Sequence, residues 1–208
     1  MNVQSGSGVC AIDTKDRILE TAGRLFHEQG FHATGISTIL REAGINAGSL
    51  YHAFPSKEAL LIGVLERYTR LLHPVVMAPV EAQSQDPIER IFILLEQYRQ
   101  WLAPNGFAMG CPIGNLALEL SDGHPEVRSL VHRNFRGWTE SVRSWLVAAG
   151  DRLPAHTDRD QLAQLILTVM EGGVMQARAS GSPTPYDASV AQLRSYFELL
   201  QAEARRAP

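Results

Sequence analysis

The chain lacks most of what would mark a secreted domain, a membrane protein or an enzyme. It has only two cysteines, Cys10 and Cys111, which excludes a disulfide framework and every zinc-finger spacing. No apolar run approaches the roughly 20 residues of a membrane span. The opening MNVQSGSGVCAID has neither the basic flank nor the apolar centre of a signal peptide. Residues 1–12 are therefore expected to form a flexible arm, and a reducing cytoplasm is the expected compartment. No run alternates with period two between hairpin turns, so no strand is predicted. There is no phosphate-binding glycine loop, no GxSxG elbow and no HExxH. The seven histidines, His27, His32, His52, His73, His124, His132 and His156, include no pair four apart on one helix with a carboxylate to match. Neither a metal nor another cofactor is expected. A basic excess is missing too: the net charge is −3, so composition gives no footprint for nucleic acid.

What is present is helical periodicity, punctuated by caps and breakers. The pattern predicts an all-α chain of about nine helices, with a small N-terminal unit over 13–60 and a larger one over 61–208. The most organised stretch is ATGISTILREAGINAGSLYHAF. Ile36, Ile39, Leu40 and Ala43 recur at helical spacing. Gly44 sits where a helix needs a left-handed residue to stop. Asn46 can cap a second helix, over Ala47–Phe54, in which Leu50 and Phe54 face inward. Ala47, Gly48, Ser49, Tyr51 and His52 are left for the outer faces. Small residues at the start allow close approach, and a helix of this width fits the DNA major groove. This is the pattern of a helix-turn-helix with a recognition helix. Ahead of it, Asp13 or Thr14 should cap a helix with Ile18, Leu19, Ala22, Leu25 and Phe26 inward. Gly30 ends that helix, Phe31 folds back as a plug, and Thr34 should cap the next.

Residues Lys15 to Leu60 resemble the DNA-binding domain of TetR/AcrR-family transcriptional regulators. The likeness rests on RILETAGRLFHEQGF, the threonine of ATG, AGI, GSLYHAF and PSKEALL, in that order and without gaps. It implies a three-helix DNA-binding head on a helical ligand-sensing and dimerising body. It also implies that Thr34, Tyr51, His52 and Lys57 occupy positions that contact the DNA backbone or groove. Ser37 and Thr38 join the DNA-facing set as neutral hydroxyls able to hold phosphate. Such groups matter here because Lys15, Arg17, Arg24, Arg41 and Lys57 are matched by Asp16, Glu20, Glu28, Glu42 and Glu58. Asn46, Ala47 and Ala53 depart from the common family pattern, so base preference does not carry over.

The body follows. Ser56 should cap a connector helix with Leu60, Leu61, Val64, Leu65 and Tyr68 inward, bent or ended by His73-Pro74, and 74–85 reads as a loose link or a frayed extension of it. Asp86-Pro87-Ile88-Glu89 and Asp158 with Gln161 are capping-box starts. Breaks are expected at 103–106, at Asp122 to Pro125 and at 180–185, with the last helix starting at Asp187. Tyr98, Trp101, Phe107, Met109, Phe135, Trp138, Met170 and Met175 supply aromatic and thioether surface that is either core or ligand pocket. Cys111 is either a small buried hydrophobe or, at a helix start that favours thiolate, a redox sensor. GCPIGNLALEL resembles a segment of a TetR branch that includes electrophile- and oxidant-responsive repressors, in some of which the cysteine is the sensor. Gly172-Gly173 costs a helix about 1 kcal/mol per glycine, offset by close helix approach in a dimer or by a cavity floor. Leu165 and Val169 on one helix, with Leu193, Phe197 and Leu200 on the last, form a candidate dimer interface or a stripe buried within one subunit.

The reading is a homodimeric repressor that binds a pseudo-palindromic double-stranded operator and responds to a small-molecule or electrophile inducer. The alternative is a helical sensing protein whose head does not read DNA; a helical enzyme ranks last.

Overall fold

The structure, a computed structural model, describes residues 13–120 and 123–206. The expected arm, with Cys10, and Asp122 of the expected break lie outside those residues. The described chain is helical and carries no strand: α1 Thr14–Gln29, α2 Ile36–Ala43, α3 Ala47–Ala53, α4 Lys57–Leu71, α5 Ala78–Gln83, α6 Pro87–Leu102, α7 Pro112–Leu120, α8 Pro125–Ala148, α9 Arg159–Ser180 and α10 Thr184–Ala204. A π-helical turn, Leu72–Met77, joins α4 to α5; taken as one run, these leave nine helices. The chain divides into two compact units, one up to Val64 and one from Leu65.

In the first unit local chemistry sets the boundaries. Asp13 caps α1 by accepting from the Lys15 N–H. α2 ends on Gly44 in the left-handed region, with φ of 62°. There the Gly44 and Ile45 amides close back onto Arg41 and Leu40, which satisfies carbonyls a bare helix end would leave open. The Asn46 side chain accepts from the Ser49 N–H at 2.8 Å and starts α3. Leu50 and Phe54 are buried, as are Ile18, Ala22, Leu25, Phe26, Phe31 and Ile39. The Phe26 and Phe31 rings meet at 5.3 Å. Ser56 Oγ accepts from the Ala59 N–H at the start of α4.

Thr34 departs from expectation. The residue that precedes α2 is Gly35, with no side-chain cap. Thr34 is fully buried, and its hydroxyl donates to Gly30 O at 2.7 Å and Leu25 O at 3.2 Å. Gly30 O lies just past the end of α1, where a carbonyl has no helical donor of its own; Leu25 O is one turn earlier, within reach of the Gln29 amide. Thr34 therefore closes the preceding helix.

In the second unit the stretch after Pro74 is an ordered helical extension, neither a loose link nor frayed. The π turn absorbs Pro74, whose missing N–H an uninterrupted α-helix would have to leave open, and Val76, Met77 and Val80 are buried along it. Asp86 caps α6 through the Ile88 and Glu89 amides. The reciprocal half of that capping box is absent, because Ser84 Oγ accepts the Asp86 N–H and Glu89 pairs with Arg194. Asp158 caps α9 through the Asp160 and Gln161 amides. α10 begins earlier than Asp187, with Pro185 in its first turn, where a missing N–H costs nothing.

α9 packs against both α8 and α10. Leu193, Phe197 and Leu200 of the expected dimer interface are buried within the protomer, Phe197 edge-on to Phe92 at 5.5 Å. They are core residues, because α10 carries two apolar stripes and this one faces α6 and α9. The outward set is Leu165 and Val169 on α9 with Tyr196 and Leu199 on α10, of which Leu199 is 69% exposed. The glycine pair separates the same way. A Cβ on Gly173 would lie 3.0 Å from the Tyr186 ring and 3.3 Å from its Cα, whereas one on Gly172 would meet nothing within 4 Å.

That contrast predicts opposite outcomes in urea unfolding of the full chain. Gly173→Ala should destabilise by about 1–3 kcal/mol, since overpacking against a backbone atom exceeds the propensity gain. Gly172→Ala should stabilise by up to about 1 kcal/mol.

Candidate nucleic-acid interface and ligand cavity

α3 has seven residues, too few for a helix to persist in water alone. It stands because Asn46 caps it and because Leu50 and Phe54 are locked into the first unit's core. That anchoring fixes the rotation of everything else on the helix. Ala47, Gly48, Ser49 and His52 are exposed, and Tyr51 is 50% exposed. On α2, Ser37 is exposed and Thr38 half-buried. Thr34 has no part in this surface, since its side chain is enclosed and its hydroxyl committed. Lys57 is half-buried: its Nζ donates to His32 O at 3.3 Å and lies 4.5 Å from the centre of the Phe31 ring. It holds the loop that follows α1. Elsewhere in the unit Arg24 pairs with Glu28 and Glu42, and Arg41 with Glu42.

The second unit contains two adjoining cavities. One, of about 800 Å³, lies between α8 and α9. The other, of about 270 Å³, lies among α7, α8 and α9. Phe135, Glu171 and Gly172 line both, so Gly172 serves as cavity floor while Gly173 serves close packing. Among the expected ligand residues, Cys111 and Phe135 line the smaller cavity, with Met175 beside them. Tyr98, Trp101, Phe107, Trp138 and Met170 line neither. Tyr98 is buried edge-on to Trp101 and Trp138, at 6.1 and 5.6 Å; Phe107 and Met170 are core. Trp101, 45% exposed, lies at the outer end of that cluster. Aromatic character alone did not separate pocket from core. The residue missed was Glu171, four after Leu167 and three before Val174, a charge set in the inward stripe of α9.

Cys111 sits at the start of α7, and the Gly114 N–H does reach its sulfur, at 3.3 Å. The expected ionisation does not follow. Burial pushes the thiol well up from its ordinary range, the Glu171 carboxyl adds to the rise, and the Tyr98 hydroxyl and Gly114 amide only partly oppose it. Desolvation outweighs the helix start. The Glu171 carboxyl is likewise raised by burial, countered by the proton the Cys111 thiol donates to it. Farther out, Arg178 donates to Asn115 Oδ1 at 2.7 Å, and the Asn115 amide donates to Met109 O.

Two measurements check these assignments. Thr34→Val should lower stability by about 1–3 kcal/mol, because the Gly30 carbonyl loses its hydroxyl donor, and a thermal melt of the free protein should show it without DNA present. In a Cys10→Ser background, Cys111 should react with a disulfide reagent near neutral pH about tenfold or more slowly than in the unfolded chain, since the folded thiol is held protonated.

A family profile described as bacterial regulatory proteins, tetR family, matches residues 18–64. A second, tetracyclin repressor-like, C-terminal domain, matches residues 87–193. An uncharacterized HTH-type transcriptional regulator of Bacillus subtilis, YxaF, is 32% identical over 83% of this chain and 89% of its own. The HTH-type transcriptional repressor NemR of Escherichia coli is 26% identical over 88% of this chain and 93% of its own. The crystal structure of NemR in its reduced form superposes with a TM-score of 0.76 at 29% identity, over 88% of this chain and 96% of that one. A TetR transcriptional regulator from Chloroflexus aurantiacus superposes with a TM-score of 0.77, also at 29% identity, over 89% and 94%. The chain belongs to the tetR family of bacterial regulatory proteins and is a helix-turn-helix, DNA-binding transcriptional regulator of the ligand-responsive repressor type.

Proposed function

We propose that this repressor acts as a homodimer on a pseudo-palindromic operator and leaves it when a ligand fills the α7–α8–α9 cavity. The observation that carries the reading is the fixed rotation of α3: with Leu50 and Phe54 locked inward, Tyr51 and His52 project outward behind the small residues Ala47, Gly48 and Ser49. In this reading Tyr51 and His52 meet the major groove, and Ser37, Thr38 and Lys57 meet phosphates. The pairing of charges in the head supports an interface that depends on fit more than on a basic surface.

The outward stripe of Leu165, Val169, Tyr196 and Leu199 supports a dimer formed by α9 and α10. It borders an open groove floored by Leu193. The raised thiol of Cys111 favours an inducer held non-covalently over an electrophile. Within the second unit Asn134, the neighbour of Phe135, ties α8 to the C-terminal half of α4. It is buried, and its amide donates to Leu65 O of α4 at 3.1 Å and to Leu130 O. A ligand that shifts α8 at Phe135 would pull on α4, the helix that leads into the head. In the absence of a membrane-spanning helix among the described residues, the cytoplasm, where operators are, is the proposed compartment.

Selection of bound duplexes from a random pool tests the reading. It should return two inverted half-sites about 34–36 Å apart, or a related spacing if the heads splay. Recovery of unselected DNA would favour the alternative, a sensing protein that does not read DNA. Lys57→Ala should weaken binding to all duplexes alike and flatten the salt dependence by about one unit. The double substitution Tyr196→Glu, Leu199→Glu should give monomers by light scattering; a dimer that persists would place the interface elsewhere.

A further inference from the structure

The charges around the cavities are matched in ion pairs except at Arg178 and Glu171. In the lining of the larger cavity Arg136 pairs with Glu140 at 2.6 Å, and Arg143 pairs with Asp160. At the mouth of the smaller cavity Arg178 is exposed and engaged by Asn115. Glu171 is the acidic group left over, and unlike Arg178 it is taken from water. It is half-buried, it lines both cavities, and among the described residues no cation forms an ion pair with it. One of its oxygens lies only 2.7 Å from where a Cβ on Gly114 would be, so the α7 backbone is bare at that point and the carboxyl fits against it. Its partner is the Cys111 thiol, a weak donor. A carboxyl taken from water with so little in return costs free energy that a better partner would recover.

We infer that the ligand of this cavity is an apolar organic cation, an amine or quaternary ammonium compound whose positive group pairs with Glu171. Phe135 of α8 lines both cavities together with Glu171, and an aromatic ring there adds attraction for a positive group. Leu167, Val174 and Met175 offer apolar surface to the rest of the molecule. An anion seated at the same depth meets the carboxylate and is repelled, while Arg178, exposed and held by Asn115, could draw it only to the rim. A neutral ligand leaves Glu171 as poorly paired as before.

The inference rests on the reading of this cavity as the inducer site, but its test needs no DNA. Calorimetric titration compares 3-phenylpropyltrimethylammonium with 3-phenylpropylsulfonate, which share an apolar body and carry opposite fixed charges. The full-length wild type should bind the cation and not the sulfonate. Glu171→Gln, which keeps shape and removes charge, should weaken the cation about tenfold or more. Glu140→Gln, whose carboxylate is already matched by Arg136 in the same lining, should change it by about twofold or less. Equal binding of cation and sulfonate by wild type would overturn the inference even if the variants failed to fold. So would undiminished cation binding in folded Glu171→Gln. If the cation binds as stated but operator DNA is not released, the inducer reading fails and the inference stands. If an uncharged compound releases operator while the cation does not bind, the inference fails alone.

Discussion

A helix of seven residues cannot hold itself together in water, and the first unit is built around that constraint. The cost of nucleating a helix is recovered only when something outside the helix fixes its first turn and one of its faces. Asn46 does the first by accepting the Ser49 amide. Burial of Leu50 and Phe54 does the second. Those two anchors need a rigid surface to bury against, and Phe54 meets it beside Leu19 of α1 and the bare backbone of α4 at Gly63. Once they are set, rotation about the axis of α3 is no longer free, and Tyr51 and His52 have a defined direction. The reading surface follows from how the helix is held.

The second unit has a comparable contest at Cys111. The helix start beside it favours thiolate, and the Gly114 amide is in place to act on it. Yet the thiol is enclosed with Tyr98 and Glu171, and taking a charge out of water there outweighs one amide dipole. The same enclosure leaves Glu171 with a weak partner. A site that protonates its thiol and starves its carboxylate is poorly prepared for covalent chemistry and well prepared to receive a positive group.

How much of this was legible in the sequence depended on the range of the interaction. The turn at Gly44 and the caps at Asp13, Asn46, Asp86 and Asp158 are local, and each was readable from a few neighbouring residues. The inward positions of α1 to α3 follow one helical stripe and were readable for the same reason. Thr34 was misread because its partners, Leu25 and Gly30, lie on the preceding helix while its sequence position looks like a cap for the next. Pro74 looked like a terminus because a breaker signals an interrupted hydrogen bond and does not say that a π turn will absorb it. On α10 two apolar stripes compete, and only packing against Phe92 decides that Phe197 is inside and Leu199 outside. Pocket and core could not be separated by residue type, since Tyr98 and Trp138 pack together as core while Phe135, three residues before Trp138, lines the cavities. The charge on the inward stripe of α9 was the available signal, and it marks the cavity better than any aromatic.

The central claim is that α3 is held rigidly so that its outward side chains read DNA. Fluorescence anisotropy of a labelled operator duplex, titrated with wild type and with the double substitution Tyr51→Ala, His52→Ala at one salt concentration, tests it most directly. Both side chains are exposed, so the free protein should melt at the wild-type temperature, while operator affinity should fall about tenfold or more as groove contacts are lost. Unchanged affinity in a variant that melts normally would contradict the account, because the surface that α3 is built to present would then play no part in binding.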